Sequence, residues 1–250
     1  MKSSNKSMIY KFKSIATLTL LMLASGSMLA KGVDLSGRNE KDTARDASSK
    51  PAAIIHFAGV KKGDKVLDLL GGGGYYSELL SRVVGDTGEV VLQIPQAYRK
   101  YVGDEVDARL ADERLKNVTY LLSEPGDLKL GTDKYDSAFL ILGYHDLYLK
   151  AGAWTFTADA VMGDVINSIK TGGKLLVIDH NAAKGHGTDD SDSMHRIEGA
   201  FVIADLEKRG FKLVSKSDIL MNADDDHTKS VFDKTIRRKT DRFVLLFEKK

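Results

Sequence analysis

The sequence predicts an α/β fold, a doubly wound and mostly parallel seven-stranded sheet with helices on both faces. Three observations carry that prediction. Short apolar runs alternate with helical stretches, a four-glycine run follows the first of them directly, and the C-terminal part offers two strands in succession. A hydrophobic share of 42% against 29% charged residues is enough for one large core in 250 residues. The absence of cysteine removes disulfides, thiolate metal sites, thiol nucleophiles and lipoprotein acylation at once.

The first thirty residues stand apart. Lys2, Lys6, Lys11 and Lys13 precede an apolar run over 15–23, and Ala24, Ser25, Gly26 and Ser27 follow it. Charged start, apolar middle and small-residue exit are the order of a secretory signal. The run is shorter than the ~20 residues that span a bilayer. Cleavage after Ser27 fits the small-residue rule better than cleavage after Ala30, which sets Met28 close to the cut. We therefore expect residues 1–30 to be a signal peptide and the protein to be exported, to the periplasm of a Gram-negative bacterium. These residues hold four lysines and no acid, so their removal takes the formal charge from +2 to −2. No basic patch remains to suggest a nucleic-acid substrate.

Residues 31–50 are polar and are expected to form a lead-in segment ahead of a domain over 51–250. Pro51 suits the first position of a helix through residue 57. Strands are expected at 65–70, 89–93, 118–122, 137–142 and 174–179, with helices at 75–84, 96–115 and 158–169 between them. A helix over 194–209 follows, with Ile197, Phe201 and Ala204 at helical spacing and Gly210 as its stop. Two strands, 211–220 and 242–248, complete the sheet, and the charged stretch 222–241 lies between them. Within it, Asp224-Asp225-Asp226-His227 is expected to be an exposed turn and Arg237-Arg238-Lys239 a solvated hairpin.

The segment from Asp68 to Tyr76 ends a buried strand and opens a helix through Gly71, Gly72, Gly73 and Gly74. Glycine lets the backbone turn sharply and approach a ligand, and the following helix presents free N–H groups at its positive end. A doubly wound sheet binds its ligand at such a place. A nicotinamide-binding Gly-x-Gly-x-x-Gly does not fit, because counting from Gly71 puts Tyr76 at the third glycine.

With Lys61-Lys62-Gly63-Asp64-Lys65-Val66-Leu67-Asp68 before it, this loop resembles the first motif of the class I S-adenosylmethionine-dependent methyltransferases. Lys116-Asn117-Val118-Thr119-Tyr120, Tyr135-Asp136-Ser137-Ala138 and Thr171-Gly172-Gly173-Lys174-Leu175 resemble the approaches to their third, fourth and fifth strands. The set Tyr144-His145-Asp146, Asp179-His180, His195-Arg196-Ile197 and Thr240-Asp241-Arg242-Phe243 resembles a group of exported bacterial methyltransferases. The resemblance implies S-adenosylmethionine as cofactor, held by Asp68, Gly71–Gly74 and Tyr75, with Glu124 near adenine. Two departures stand out. The usual loop is Asp-Leu-Gly-x-Gly-x-Gly, and here Leu70 precedes the glycine run; the acid that ends the second strand and holds the ribose is replaced by Gln93.

Two polar clusters fall at strand ends where the reacting part of the cofactor lies, Tyr144-His145-Asp146 and Asp179-His180-Asn181. His145 and His180 are the candidate general bases, with Asp146 or Asp179 as orienting partner. Asp146, Asp179, His180, His186 and His195 are also the types that collect a metal ion, but no His-x-His or His-x-x-x-His spacing occurs and no metal is assigned. Trp154 and Phe156, with Tyr148, suit either an acceptor-pocket wall or core packing, and the loop 184–190 either a lid or a plain connection. The expected function is methyl transfer to a small-molecule acceptor. The alternative is an exported, non-catalytic ligand-binding protein that keeps the fold.

Overall fold

The structure is a computed structural model and describes Met1, 32–150 and 157–250. The export segment from residue 2 onward, and Trp154 with Phe156, lie outside the described residues. Lys31–Lys250 form one compact unit.

Seven strands form one sheet: β1 (Lys65–Leu69), β2 (Glu89–Ile94), β3 (Val118–Leu122), β4 (Tyr135–Ile141), β5 (Ile169–His180), β6 (Phe211–Ser217) and β7 (Arg242–Lys249). Their spatial order is β3-β2-β1-β4-β5-β7-β6. The first five run parallel, and β7 pairs antiparallel with both β5 and β6. The order reverses between β1 and β4, which opens a crevice beyond the carboxyl ends of those strands.

Alternation along each strand divides the core between two faces. Leu67, Leu69, Leu175, Val177, Leu245 and Phe247 point to one side and pack with Val161, Met162 and Val165 of α6 (Ala158–Ser168) and Val202 and Leu206 of α8 (Gly199–Lys208). Val66, Leu176, Ile178, Val244 and Leu246 point to the other. They meet Ile54 and Ile55 of α2 (Pro51–Ala58) and Leu79, Leu80 and Val84 of α3 (Tyr75–Val84). A smaller group, Leu92, Ile94 and Val106, seats α4 (Gln96–Val102) and α5 (Glu105–Leu110).

Three elements depart from expectation. The lead-in contains a helix, α1 (Glu40–Ser49), started by Asn39, whose side chain accepts the Asp42 N–H at 2.8 Å. The helix expected over 96–115 is two helices, α4 and α5, because Gly103 at φ +53° breaks it. The helix expected from 194 begins at Gly199; a short α7 (Ser191–Met194) precedes it, and His195 is left-handed at φ 54°. Arg196 enforces that break from the inside. It is fully buried, with Nη1 donating to Asn181 O at 2.9 Å, Nε to Lys229 O at 2.8 Å and Nη2 to Asp225 at 3.0 Å. Asp225, expected in an exposed turn, is therefore a buried anchor.

The glycine run makes the β1–α3 turn, and its backbone has a regular rhythm. Leu70, Gly72 and Gly74 are left-handed at φ 52°, 59° and 78°. Positions 70, 72 and 74 are thus the three glycine positions of Asp-Leu-Gly-x-Gly-x-Gly, and Leu70 is a substitution at the first, not an insertion. Gly71 is glycine for another reason: a Cβ there would sit 2.6 Å from Asp68 and Leu92.

Four elements are tied at this turn by charge. Arg109 of α5 donates Nε to Gly73 O at 2.5 Å and pairs through Nη1 with Asp42 of α1 at 2.7 Å and Glu78 of α3 at 2.5 Å. Arg114 and Arg82 also reach Glu78, at 2.7 and 2.9 Å. Burial alone would raise the Glu78 pKa, but hydrogen bonds from Arg114 and Arg109 outweigh it and hold the group at about 2.

Two outcomes follow from this geometry. Gly72→Ala meets only ordinary contact at 3.9 Å, so it costs the left-handed conformation alone, about 1–2 kcal/mol. Gly74→Ala adds clashes with Leu92 at 2.9 Å and Arg109 at 3.0 Å, so its loss in urea unfolding must be larger, and equal losses would refute the packing account. The second concerns acid. Unfolded Glu78 takes a proton near its ordinary 4.5 but the folded group only near 2, so between these values the unfolded chain binds more protons. Wild-type stability then falls as pH drops through that window, and the stability gap to Glu78→Gln narrows with it; a gap independent of pH contradicts the pairing.

Candidate active site

The site lies beyond the carboxyl ends of β1, β4 and β5, between the glycine turn on one side and a histidine cluster on the other. A cleft of about 330 Å³ joins them, lined by Gly73, Tyr75, Glu105, His180, Phe232 and Arg242, among others. Helix α1 forms a further wall, with Arg45 and Ser48. It is fixed by Tyr75, whose hydroxyl donates to Asp46 at 2.6 Å while Arg45 stacks 4.2 Å from the ring centroid.

At the turn, Asp68 is buried and accepts the Ser77 hydroxyl at 2.6 Å. Burial raises its pKa to about 6, against the lowering effect of Ser77. Gln93 is fully buried: its Oε1 accepts the Leu70 N–H at 3.3 Å and its Nε2 donates to Ser123 O at 3.0 Å. Its amide is thus spent on fastening the turn to β3. Glu124 is exposed and accepts the Gln96 N–H at 2.8 Å, at the start of α4. A further carboxylate lies against the glycine turn. Glu105 of α5 lies where a Cβ on Gly73 would fall, and it faces Lys41 of α1 in an ion pair.

The second cluster arises from strand pairing. Ile141 of β4 is in register with Ile178 of β5, so the residues after β4 meet the last two residues of β5. Asp179, fully buried, accepts His145 N–H at 2.9 Å and contacts His145 Nδ1 at 2.8 Å. His145 Nε2 lies 3.1 Å from Asp146 Oδ1 and 3.1 Å from His195 Nδ1. Asp146 is closed off further by the Tyr98 hydroxyl. Burial would lower the His145 pKa, but the Asp179 charge and hydrogen bonds from Asp146 and Asp179 carry it up to about 10. His180 goes the opposite way. Burial first, then the charges of His145 and Arg242, push it well below the usual imidazole range, while Nδ1 contacts the Thr240 hydroxyl at 2.7 Å.

Arg242 completes the wall. Its Nη2 donates to Ser48 O at 2.6 Å, and its Nε is buried with no hydrogen-bond partner among the described residues. Arg237 and Arg238, expected on a solvated hairpin, are exposed and line the same cleft.

The four residues read as catalytic candidates, His145, Asp146, Asp179 and His180, come together here, and His195 joins them. His186 stands apart, paired with Asp190 at 2.8 Å. Tyr148 belongs to the core rather than the cleft wall: it stacks on Tyr144 at 6.0 Å, and both hydroxyls donate to Asp205. The loop 184–190 is fastened, with Glu198 N–H donating to Gly187 O at 2.9 Å. Sequence reasoning missed Arg45 and Ser48, which it left in a lead-in, and Glu105 and Arg109, an i,i+4 pair inside a long helix. The Asn39-x-x-Asp42 cap was the available signal for α1.

Similar proteins bear on the fold and the family. The model of the ubiE/COQ5 methyltransferase family matches residues 48–191. The chain is 28% identical over 188 residues to the ubiquinone/menaquinone biosynthesis C-methyltransferase of Shewanella halifaxensis, covering 72% of this chain and 68% of that protein. The protein of the same name from Haemophilus ducreyi is 31% identical over 125 residues, 50% of this chain but 44% of its own length. In fold, the chain is similar to a SAM-dependent methyltransferase from Aquifex aeolicus, at a TM-score of 0.58 and 20% identity, over 82% of this chain and 92% of that one. The methyl donor is accordingly S-adenosylmethionine and the acceptor a small molecule. Seven strands in this order, a glycine turn with three left-handed positions and a family match over more than half its length place the chain in the ubiE/COQ5 methyltransferase family.

Proposed function

We propose that the protein methylates a small acceptor bearing an acidic hydroxyl, of phenol or quinol type, and that it does so after export. The carrying observation is a shared wall: Gly73 and Glu105 on the cofactor side line the same cleft as His180 and Arg242. When bound, S-adenosylmethionine supplies a methyl group on a sulfonium, activated for in-line displacement, so alignment is the main task left to the protein.

The residues of the cleft suit that task. The turn 70–74 and the start of α3 offer the cofactor close backbone approach. Glu105 supplies a carboxylate for the ribose hydroxyls, in place of the acid that Gln93 replaces. Arg242 Nε, buried and without a hydrogen-bond partner among the described residues, suits an oxygen, and with Arg237 and Arg238 it favours an acceptor that binds as an anion. His180, steadied by Thr240, takes the hydroxyl proton; burial lowers its pKa, so the ring is neutral before the reaction and accepts the proton as a weak base. The relatives named for quinone biosynthesis support an acceptor of this type.

Export is supported by the lysines ahead of the apolar run at 15–23. Among the described residues, no helix is long and apolar enough to cross a membrane. A formal charge of −2 without residues 1–30 favours a small acceptor over nucleic acid.

Isothermal titration with S-adenosylmethionine should give saturable binding, weakened roughly 10-fold or more in Glu105→Gln, the loss of a hydrogen bond to a charged group. No heat with either S-adenosylmethionine or S-adenosylhomocysteine at millimolar ligand would sink the reading. With radiolabelled methyl donor and a panel of phenols and quinols, His180→Asn should lower kcat by roughly 10²-fold or more while the cofactor Kd stays put. Turnover retained in that variant removes His180 from the mechanism. N-terminal sequencing of protein from a periplasmic extract should begin at Met28; an intact Met1 there, or protein confined to the cytoplasm, contradicts export.

A further inference from the structure

We propose that His145 Nε2, Asp146 Oδ1 and His195 Nδ1 form a binding site for a divalent first-row transition-metal ion, zinc above all. The three atoms come from two separate segments, the end of β4 and the turn after α7, and they converge on one point. Their separations are 3.1 Å (His145–Asp146), 3.1 Å (His145–His195) and 3.9 Å (His195–Asp146). An ion held at about 2.0–2.1 Å requires ligand atoms roughly 3.0 Å apart in an octahedral arrangement and roughly 3.4 Å apart in a tetrahedral one. Two edges already fall in that range, and a small rotation of the half-exposed His195 ring closes the third.

The hydrogen bonding around His145 points the same way. Asp179 takes two backbone N–H groups, from His145 and His180, and lies against His145 Nδ1. A carboxylate oxygen only accepts, so Nδ1 keeps its proton in any state of the ring, and when an ion takes the place of the proton on Nε2 the lone pair of Nε2 is directed at it. Nε2 faces a second carboxylate oxygen and a second imidazole nitrogen. One proton satisfies one of these contacts; one cation satisfies all three. Carboxylate on one ring nitrogen and metal on the other is the usual outer arrangement of a ligating histidine.

The site is also built at some cost. His195 holds a left-handed backbone, uncommon for any residue but glycine, and the buried Arg196 next to it fixes the segment through three hydrogen bonds. Two imidazoles and a carboxylate, with no cysteine in the chain, select a borderline divalent ion over soft ones. Three protein ligands leave coordination positions open, the pattern of reactive rather than structural sites. Phe232, which lines the cleft, packs 4.8 Å from the His195 ring, and His180 lies 6.4 Å from His145. The ion thus borders the acceptor side.

The test reads metal directly, without methyl transfer, and so stands or falls apart from the acceptor assignment. Full-length protein stripped with a chelator is titrated with Co²⁺ and then with competing Zn²⁺. One equivalent should bind at micromolar metal or below, with visible absorption of a four- or five-coordinate cobalt centre that zinc abolishes. Affinity should fall by roughly 100-fold or more in His195→Ala and Asp146→Asn, by roughly 10–100-fold in Asp179→Asn, and not at all in His186→Ala. Unchanged affinity in His195→Ala, or no stoichiometric binding of either metal, overturns the site. Anomalous diffraction at the zinc edge from wild-type crystals needs no variant: a peak between the three ligand atoms supports the site, and a peak elsewhere alone refutes it.

Discussion

The cleft depends on one guanidinium. Arg109 reaches the backbone of the glycine turn, the first turn of α1 and the inside of α3 from its own place on α5. Its partners Asp42 and Glu78 are as buried as it is. A pair of this kind adds little net stability, since desolvation offsets attraction, but removing one member strands the others in a dry interior. Its contribution is geometric. It holds α1 against the turn, so that a segment outside the sheet becomes a wall of the cleft. The turn itself then needs little room: Gly71 and Gly73 are crowded by side chains, and Gly72 and Gly74 supply the left-handed steps.

How much of this was legible follows from what each signal measures. All seven strands were visible: the central ones are short apolar runs because both their faces are buried, and the edge strands β3 and β6 follow turns that mark where they start. The glycine turn was visible too, but its register was not. Leu70 looked like an extra residue until its φ of 52° showed it standing in a glycine position, a conformation that composition does not record. The start of the last long helix was misplaced for a similar reason. Ile197 keeps helical spacing with Phe201, yet Ile197 pairs with Asn181 beside β5, and the buried Arg196 holds the chain out of the helix. Charged residues were the hardest to place. Asp225 and Arg196 are far apart in sequence, and each looks solvated until the other is seen beside it.

The candidate site was legible to the extent that topology carries it. Placing β5 beside β4 brings the end of β5 against the residues after β4, so His145 and Asp179 were bound to meet once the order was known. His195 could not be found that way. It reaches the cluster through a short helix and a left-handed residue, neither of which has a periodicity to detect. The same limit hid α1, whose polar sequence binds through charge pairs rather than an apolar stripe.

The two departures from the family pattern have one structural consequence between them. Gln93, in place of the ribose acid, turns inward and fastens the N–H of Leu70, the residue in place of the first glycine. A leucine there carries strain that a glycine does not, and a carboxylate in place of Gln93 offers no donor to Ser123, the other end of the same link. The two substitutions therefore belong together: one closes the space beside the turn, the other binds the backbone that closes it. In the proposed cofactor site α5 takes over from outside what the second strand gives up, since Glu105 brings a carboxylate to the same turn. That carboxylate stays beside the turn only while the helix after the second strand is held in place, which is what Arg109 does.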